Sequence, residues 1–212
     1  MTTYIPKTRS DLVSILAAKK LTVEVVEAAV GIGVAESRTF SPGAPKSAPE
    51  ITRWLRTVEA MHTGLMTLDM GWLRFDPDNL PYFLQPELNL GLIVSSGNEF
   101  VGSTFGTPSN RNPKGSAFAR RVDENGQVAM FGAPVGDGTE VSVEDAWVLL
   151  YNERDGHVHV ELSCPIDVQG GFVKTWRDRV IFPAFDVANA RFEFEDEDKR
   201  DGDFGFTIER LG

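Results

Sequence analysis

Residues 146–164 read AWVLLYNERDGHVHVELSC, and this stretch decides the fold. Asp155-Gly156 separates two runs rich in apolar residues, which is a strong signal for a two-residue hairpin turn because both residue types tolerate positive φ. The register set by this turn pairs Trp147 with Cys164, Leu149 with Leu162, Tyr151 with Val160 and Glu153 with Val158. Directly opposed residues share a face, so one face of the hairpin is apolar. The stretch therefore predicts two antiparallel strands packed on a core.

Further strand patterns lie on both sides of this hairpin. Residues 70–75 and 88–94 read as strands, and Asn125-Gly126 predicts a hairpin of 117–123 with 127–132. Residues 190–196 and 204–210 predict a last hairpin with an acidic turn. Between these, residues 170–183 fit a short helix that runs into a strand, because their aromatic and apolar residues recur at every fourth position.

The N-terminal third of the chain has helical periodicity instead. Residues 8–20 predict a helix with a Thr8/Asp11 capping box, and Thr22 begins a second short helix. The clearest helix is 48–65, where Ser47 and Glu50 have capping-box spacing. Its apolar stripe comprises Ile51, Trp54, Leu55, Val58, Met61 and Leu65.

The order of these elements predicts an α+β fold. N-terminal helices are followed by a mainly antiparallel sheet, a meander or half-barrel, packed on the long helix 48–65. The predicted division is an N-terminal helical hairpin at 1–35, packed on a main α+β domain at 47–212.

Composition limits the classes of function. The chain has 212 residues, 42% of them hydrophobic, a formal net charge of −10 and one cysteine, Cys164. Direct nucleic-acid binding is not expected, because contact with phosphate backbones needs clustered Lys and Arg. The N-terminus has no apolar leader and no apolar run has the length of a membrane span, so a soluble cytoplasmic protein is expected.

Half of the net charge lies in one short segment. Residues 193–203 read EFEDEDKRDGD and hold seven acidic and two basic residues, a balance of −5. A charge run of this kind is usually a solvated face, here the turn of the last hairpin. The alternative is that this acidic hairpin imitates nucleic acid on a basic partner protein.

The most unusual stretch is 95–116, which reads SSGNEFVGSTFGTPSNRNPKGS. Sixteen of its residues are Gly, Ser, Asn, Thr or Pro, and irregular segments of this length inside domains tend to be functional or disordered. Glycines let backbone N–H groups approach a ligand, and Arg111 with Lys114 offers charge for an anion. The candidate ligand- or partner-binding residues are Ser96, Gly97, Asn98, Gly102, Ser103, Arg111 and Lys114. The frame of a Walker loop is missing.

A second candidate site lies on the strand after Asp155-Gly156. His157, His159 and Glu161 alternate along that strand and therefore share one face. Two histidines and a carboxylate are ligands for Zn(II) or Fe(II), so a divalent metal is the one cofactor that the pattern suggests. The alternative is that these three residues form the solvent face opposite an apolar core face.

No arrangement of nucleophile, base and acid emerges at catalytic spacing, so the sequence leaves open whether the protein is an enzyme. The favoured hypothesis is a soluble binding or interaction protein that contacts a macromolecular partner through the 95–116 loop and the acidic 193–203 hairpin. A protein partner or a second copy of the chain is expected. The alternatives are a metal-dependent enzyme of hydrolase or oxygenase type using His157, His159 and Glu161, and an anion- or nucleotide-binding protein using the 95–116 loop.

Overall fold

The computed structural model of the chain describes residues 2–123, 125, 133–134, 140–141, 145–187, 190–195 and 205–210. Its helices are α1 (Arg9–Ala17), α2 (Val23–Ser37), α3 (Ala48–Thr67) and α4 (Ser116–Asp123). Its strands are β1 (Thr2–Tyr4), β2 (Leu73–Phe75), β3 (Tyr82–Gln85), β4 (Leu90–Ser96), β5 (Ala133–Pro134), β6 (Glu140–Val141), β7 (Asp145–Arg154), β8 (His157–Gln169), β9 (Phe172–Ile181), β10 (Ala190–Glu195) and β11 (Gly205–Arg210).

Seven strands form one mixed sheet in the order β1-β9-β8-β7-β4-β3-β2. Strands β2, β3 and β4 form one antiparallel meander, and β7, β8 and β9 form another. The two meanders join where β4 runs parallel to β7, and β1 adds to the far edge parallel to β9. The α+β class is therefore confirmed, and the sheet is mixed, with four of its six strand pairings antiparallel.

Two of the three hairpin predictions agree with the backbone pairing. In the β7–β8 hairpin Leu149 pairs with Leu162, Tyr151 with Val160 and Glu153 with Val158. Asp155 and Gly156 make the turn with φ values of 53° and 77°, as a turn of this type requires. Strands β10 and β11 also pair antiparallel, whereas residues 196–204 of the acidic turn lie outside the described residues.

The hairpin predicted at Asn125-Gly126 is wrong in its first half, because residues 116–123 form helix α4. Phe118 and Val122 are buried while Arg120 between them is exposed, a pattern that fits a helix, since a strand would place all three on one face. The Asn125 side chain instead donates to the carbonyl oxygens of Ala146, at 3.0 Å, and Pro165, at 2.6 Å. Its predicted partner at 127–132 lies outside the described residues.

Two finer predictions are also corrected. Residues 172–181 form β9 from their start, with no helix, and Arg177 is the extra residue of a β-bulge between the pairs Pro165–Trp176 and Cys164–Asp178. A spacing of four residues is compatible with the alternation of a strand as well as with a turn of helix, so the pattern does not distinguish the two. Ser47 makes no side-chain cap bond at the start of α3, because its backbone is already helical at φ −81°, ψ −16°.

Helices α1, α2 and α3 and the first face of the sheet share one apolar cluster. Its members on the sheet include Leu92, Val94, Trp147, Leu149, Val160 and Leu162. Residues of the predicted 1–35 hairpin and of the predicted main domain both contribute to this cluster, for example Leu16, Val26, Met61 and Leu65. Within the described part of the chain, no helix combines the length and apolar content needed to cross a membrane.

The second face of the sheet carries its own, smaller apolar cluster. Its members are Tyr82, Leu84, Ile93, Val101, Phe118, Val122, Val148, Leu150, Val173 and Trp176. Val101 comes from the 95–116 segment, whereas Phe118 and Val122 come from α4. The segment and the helix that follows it therefore cover a face that the solvent-face alternative for His157, His159 and Glu161 leaves open to water.

Candidate functional site

The 95–116 segment is held by hydrogen bonds within itself. Gly97 and Asn110 form an antiparallel bridge, and the Arg111 amide donates to the Ser96 carbonyl at 2.9 Å. The Asn98 side chain accepts from the amides of Phe100 and Ser109, both at 3.2 Å, and donates to the Thr107 carbonyl at 3.0 Å. Asn98 is thus a structural residue that closes the segment.

Asn110 ties the segment to the β8–β9 turn. Its side chain, in a residue only 2% exposed, donates to the carbonyls of Asn112 at 2.7 Å and Gly171 at 2.8 Å. It also accepts from the Val173 amide at 2.9 Å, and the Lys114 amide donates to the Gly171 carbonyl at 2.8 Å. Gly171 has φ +80°, and a Cβ there would lie 2.7 Å from the Lys114 carbonyl oxygen, so only glycine fits.

A buried ion pair holds the middle of the segment on β8 and β9. Glu161 is 0% exposed and Arg179 is 1% exposed, and the Arg179 Nε donates to Glu161 Oε1 at 3.1 Å. The Glu161 carboxylate also accepts from the Gly102 amide at 2.9 Å and from the Ser163 hydroxyl at 2.9 Å. Arg179 Nη2 donates to the Ser103 carbonyl at 3.0 Å. Gly102 and Ser103 therefore cover the pair.

The structure does not bring the predicted metal ligands together on one ion. No group of three His, Cys, Asp or Glu residues in the described ranges is arranged to hold a metal. His157 is exposed, with Nδ1 2.9 Å from the Asp155 carbonyl oxygen, and burial lowers the pKa of the half-buried His159. Glu161 is engaged by Arg179, so the metal site stays a prediction that no described contact supports.

Four of the predicted residues, Ser96, Gly97, Arg111 and Lys114, line two cavities beside the first half of α3. Ser96, Asn112 and Lys114 form one wall of a cleft of about 380 Å³, which we call the α3 cleft. Its other wall is the helix, through Ser47, Glu50, Ile51 and Trp54. A much smaller cavity beside it is lined by Glu50, Arg53, Ser96, Gly97, Arg111, Tyr151, Asn152 and Glu153.

The walls of the α3 cleft are fixed to the sheet. Trp54 Nε1 donates to the Val94 carbonyl at 3.2 Å, which holds the helix on β4. Gly97 donates to the Tyr151 carbonyl at 2.8 Å, and Asn152 Nδ2 donates to the Gly97 carbonyl at 2.9 Å. The start of the 95–116 segment is thus anchored on β7, so the cleft is built into the fold.

The two cations of the segment differ in their electrostatics. Arg111 forms an ion pair with Glu50 at the smaller cavity beside the cleft, so its charge is already compensated. Lys114 has no ion pair with any acidic side chain of the described residues, and burial lowers the pKa of its ammonium group. An amine that is desolvated and unpaired is a ready donor for an anionic group.

Apolar side chains are exposed next to this lysine. Ile51 and Leu55 are 53% and 51% exposed, and they lie one turn apart on the same face of α3. Phe105, at 73% the most exposed large apolar side chain of the described residues, lies in the middle of the 95–116 segment. Periodicity assigned Ile51 and Leu55 to the core, and the sequence held no signal that they would be left uncovered.

The only cysteine is not part of a reactive site. Cys164 is fully buried, and burial raises the pKa of its thiol to about 12. A thiol with this pKa stays protonated near neutral pH, and the thiolate is the nucleophile. Its inert character matches the residue's place on the apolar face of β8.

Comparison of the chain with protein-family models, with curated proteins and with solved structures gives no match.

Proposed function

We propose that this protein is a binding protein that contacts a macromolecular partner, a protein, through the 95–116 segment and the first half of α3. The observation that carries the proposal is Lys114, a partly buried lysine without an ion pair among the described residues, which lines the α3 cleft together with the exposed Ile51. Proteins usually compensate a desolvated charge, and they cover apolar residues that are adjacent on the surface. A partner that docks here would supply an opposite charge for Lys114 and would cover Ile51. The acidic 193–203 hairpin remains the second predicted contact.

Affinity capture from an extract of the source organism tests this proposal. Bait proteins are the unmodified chain, the surface variant Ile51→Ser/Lys114→Gln, and the control Lys7→Gln, which removes an exposed lysine far along the chain. We expect one protein to be retained by the unmodified chain and by the control, and to be lost with the surface variant. The captured protein is then purified and its binding to the three baits is measured by calorimetry.

Sedimentation of the purified chain tests a second copy as the partner. If the unmodified chain captures nothing that the surface variant does not also capture, and sediments as a monomer, the proposal is wrong. A dimer that the surface variant converts to monomer makes a second copy the partner.

The same lysine favours a second candidate, an anion- or nucleotide-binding protein. Phosphate or ATP held in the α3 cleft raises the melting temperature of the unmodified chain, and Lys114→Gln abolishes that rise. Arg111→Gln leaves a smaller rise, because Arg111 is paired with Glu50 and acts only indirectly. A melting temperature that neither ligand changes eliminates this candidate and leaves the protein partner.

A further inference from the structure

The surface of α3 beside Lys114 continues past the α3 cleft. Trp54 also lines a second cleft, of about 510 Å³, together with Thr52, Leu55, Arg56, Val58, Glu59, Arg74 and Pro81. Ile51 lines the α3 cleft and Leu55 lines the second cleft, and the two exposed side chains form a ridge one helical turn apart. We call the two clefts and this ridge the α3 surface. From Ser47 to Glu59 it follows about 18 Å of helix, at roughly 1.5 Å per residue.

This length suits an extended peptide rather than a small ion. An extended chain advances about 3.3 Å per residue, so roughly five or six residues span the α3 surface. A phosphate or a single carboxylate occupies only the Lys114 end and leaves Ile51 and Leu55 in water. Covering these two side chains requires a ligand with apolar groups of its own.

The charges of the α3 surface are balanced except at Lys114. Arg56 pairs with Glu59 at 2.7 Å and Arg74 pairs with Asp76 at 3.2 Å. Glu50 is neutralised by Arg111. Among the described residues of this surface, one positive charge is therefore left without an opposite charge, and it lies at one end of an apolar ridge.

A nucleic acid or an anionic membrane does not fit this pattern. Each presents many negative charges and needs several clustered cations, whereas the α3 surface has one unpaired lysine in a chain of net charge −10. One carboxylate with neighbouring apolar side chains complements one lysine with a neighbouring apolar ridge.

We infer that the ligand of the α3 surface is an extended segment of a partner protein, with one acidic side chain that pairs with Lys114 and a large apolar side chain that packs on Ile51 and Leu55. The inference rests on the proposed function and adds the chemistry of the partner. The carboxylate of the partner segment pairs with Lys114, and its apolar side chain lies over Ile51 and Leu55 toward the second cleft.

A bead library of short peptides tests this inference on the full chain. The peptides have about eight positions, enough to span the surface at roughly 3.3 Å per residue, randomised among Asp, Lys, Ser, Leu and Phe. We expect enrichment of sequences that combine Asp with Leu or Phe. A single-stranded oligothymidylate serves as the nucleic-acid probe and is expected not to bind.

Fluorescence polarisation of an enriched peptide then measures the contribution of each part. Lys114→Gln should weaken binding roughly tenfold or more, as expected for the loss of a charge-assisted hydrogen bond, and Leu55→Ser should also weaken it. Lys7→Gln is the matched control and should leave affinity unchanged.

Enrichment of Lys-containing or purely apolar peptides, binding of the oligonucleotide, affinity unaffected by Lys114→Gln, or no enrichment at all overturns the inference. If the extract experiment still yields a partner that depends on Ile51 and Lys114, the proposed function stands and only the peptide chemistry is wrong. If both fail, the proposed function fails with it.

Discussion

We expect Lys114 to destabilise the folded protein at neutral pH, because burial removes water from its ammonium group and no described acidic side chain replaces that water. Burial lowers the pKa of Lys114 from its ordinary value of 10.5, so the unfolded chain binds this proton more tightly than the folded chain. The free energy of unfolding therefore rises with pH between the lowered pKa and 10.5, and the full cost is present below that window.

Replacing Lys114 with Met should thus stabilise the protein at pH 7. A gain of about 1 kcal/mol is typical of such a change, and it corresponds to a melting temperature higher by about 2–4 °C. Urea unfolding of both proteins measures the gain, which should shrink as pH approaches 10.5. Lys7→Met, at an exposed position, should change neither value. A Lys114→Met protein that is less stable at pH 7 contradicts the argument.

For the buried pair Glu161–Arg179 we expect the opposite effect: removing one charge should destabilise the protein. Glu161→Gln leaves the Arg179 charge buried without its partner, which typically costs about 3–5 kcal/mol. Arg179→Met added to Glu161→Gln removes the uncompensated charge, so the double variant should be more stable than Glu161→Gln alone. Urea unfolding of the two single variants and the double variant gives the coupling energy, and strictly additive losses would show that the pair is not coupled.

At the scale of elements, the 95–116 segment behaves as part of the sheet's second layer. Asn110 replaces three backbone partners that a regular strand or helix would supply. Asn110→Ala removes these three hydrogen bonds, although the Gly171 carbonyl keeps the Lys114 amide, and it should cost about 2 kcal/mol. Asn112→Ala, at an exposed neighbouring position, is the control and should be within about 0.5 kcal/mol of the unmodified chain. Thermal unfolding measures both.

Hydrogen exchange reports where the loss occurs. In Asn110→Ala the Val173 amide, which donates to the Asn110 side chain at 2.9 Å, should exchange faster than in the unmodified chain. Equal protection of Val173 in both proteins would mean that the segment is held mainly by its other contacts.

The sequence was sufficient for elements whose signals are local. The turn at Asp155-Gly156 and the alternation beside it determined the β7–β8 register, and the Thr8/Asp11 capping box begins α1 as expected. The sequence did not predict the non-local strand pairing, since no residue near β4 or β7 specifies that these two strands run parallel. Likewise, the sequence did not predict that Glu161 is buried in an ion pair, because its partner Arg179 lies 18 positions away, beyond a bulge that was not predicted.

The candidate site shows the same division between local and non-local information. Ser96, Gly97, Arg111 and Lys114 were found from composition, because a glycine- and amide-rich segment with two cations is unusual. Their meeting with the first half of α3 depends on Trp54 and Val94, which are 40 positions apart. No spacing rule connects such residues, so the α3 cleft had to come from the structure.

At the scale of the whole molecule, the predicted separation of an N-terminal hairpin from a main domain has a measurable consequence. Residues of α1 and α2 pack in the same apolar cluster as the sheet, and Trp72 Nε1 donates to the Lys20 carbonyl at 2.8 Å. Because one cluster connects the helices to the sheet, we expect the chain to unfold in a single cooperative transition.

Thermal unfolding followed by two probes tests this expectation. Far-ultraviolet circular dichroism follows all helices and strands, whereas tryptophan fluorescence follows Trp54 on α3, Trp147 and Trp176 on the sheet, and Trp72 immediately before β2. The two melting curves should coincide, and Val26→Ala, a cavity in α2 at a fully buried position, should lower both midpoints equally. The exposed Val13→Ala in α1 is the matched control and should lower neither appreciably. If Val26→Ala instead splits the circular dichroism curve into two transitions, the hairpin unfolds on its own. The 1–35 and 47–212 regions are then two units joined by a contact that is weaker than either.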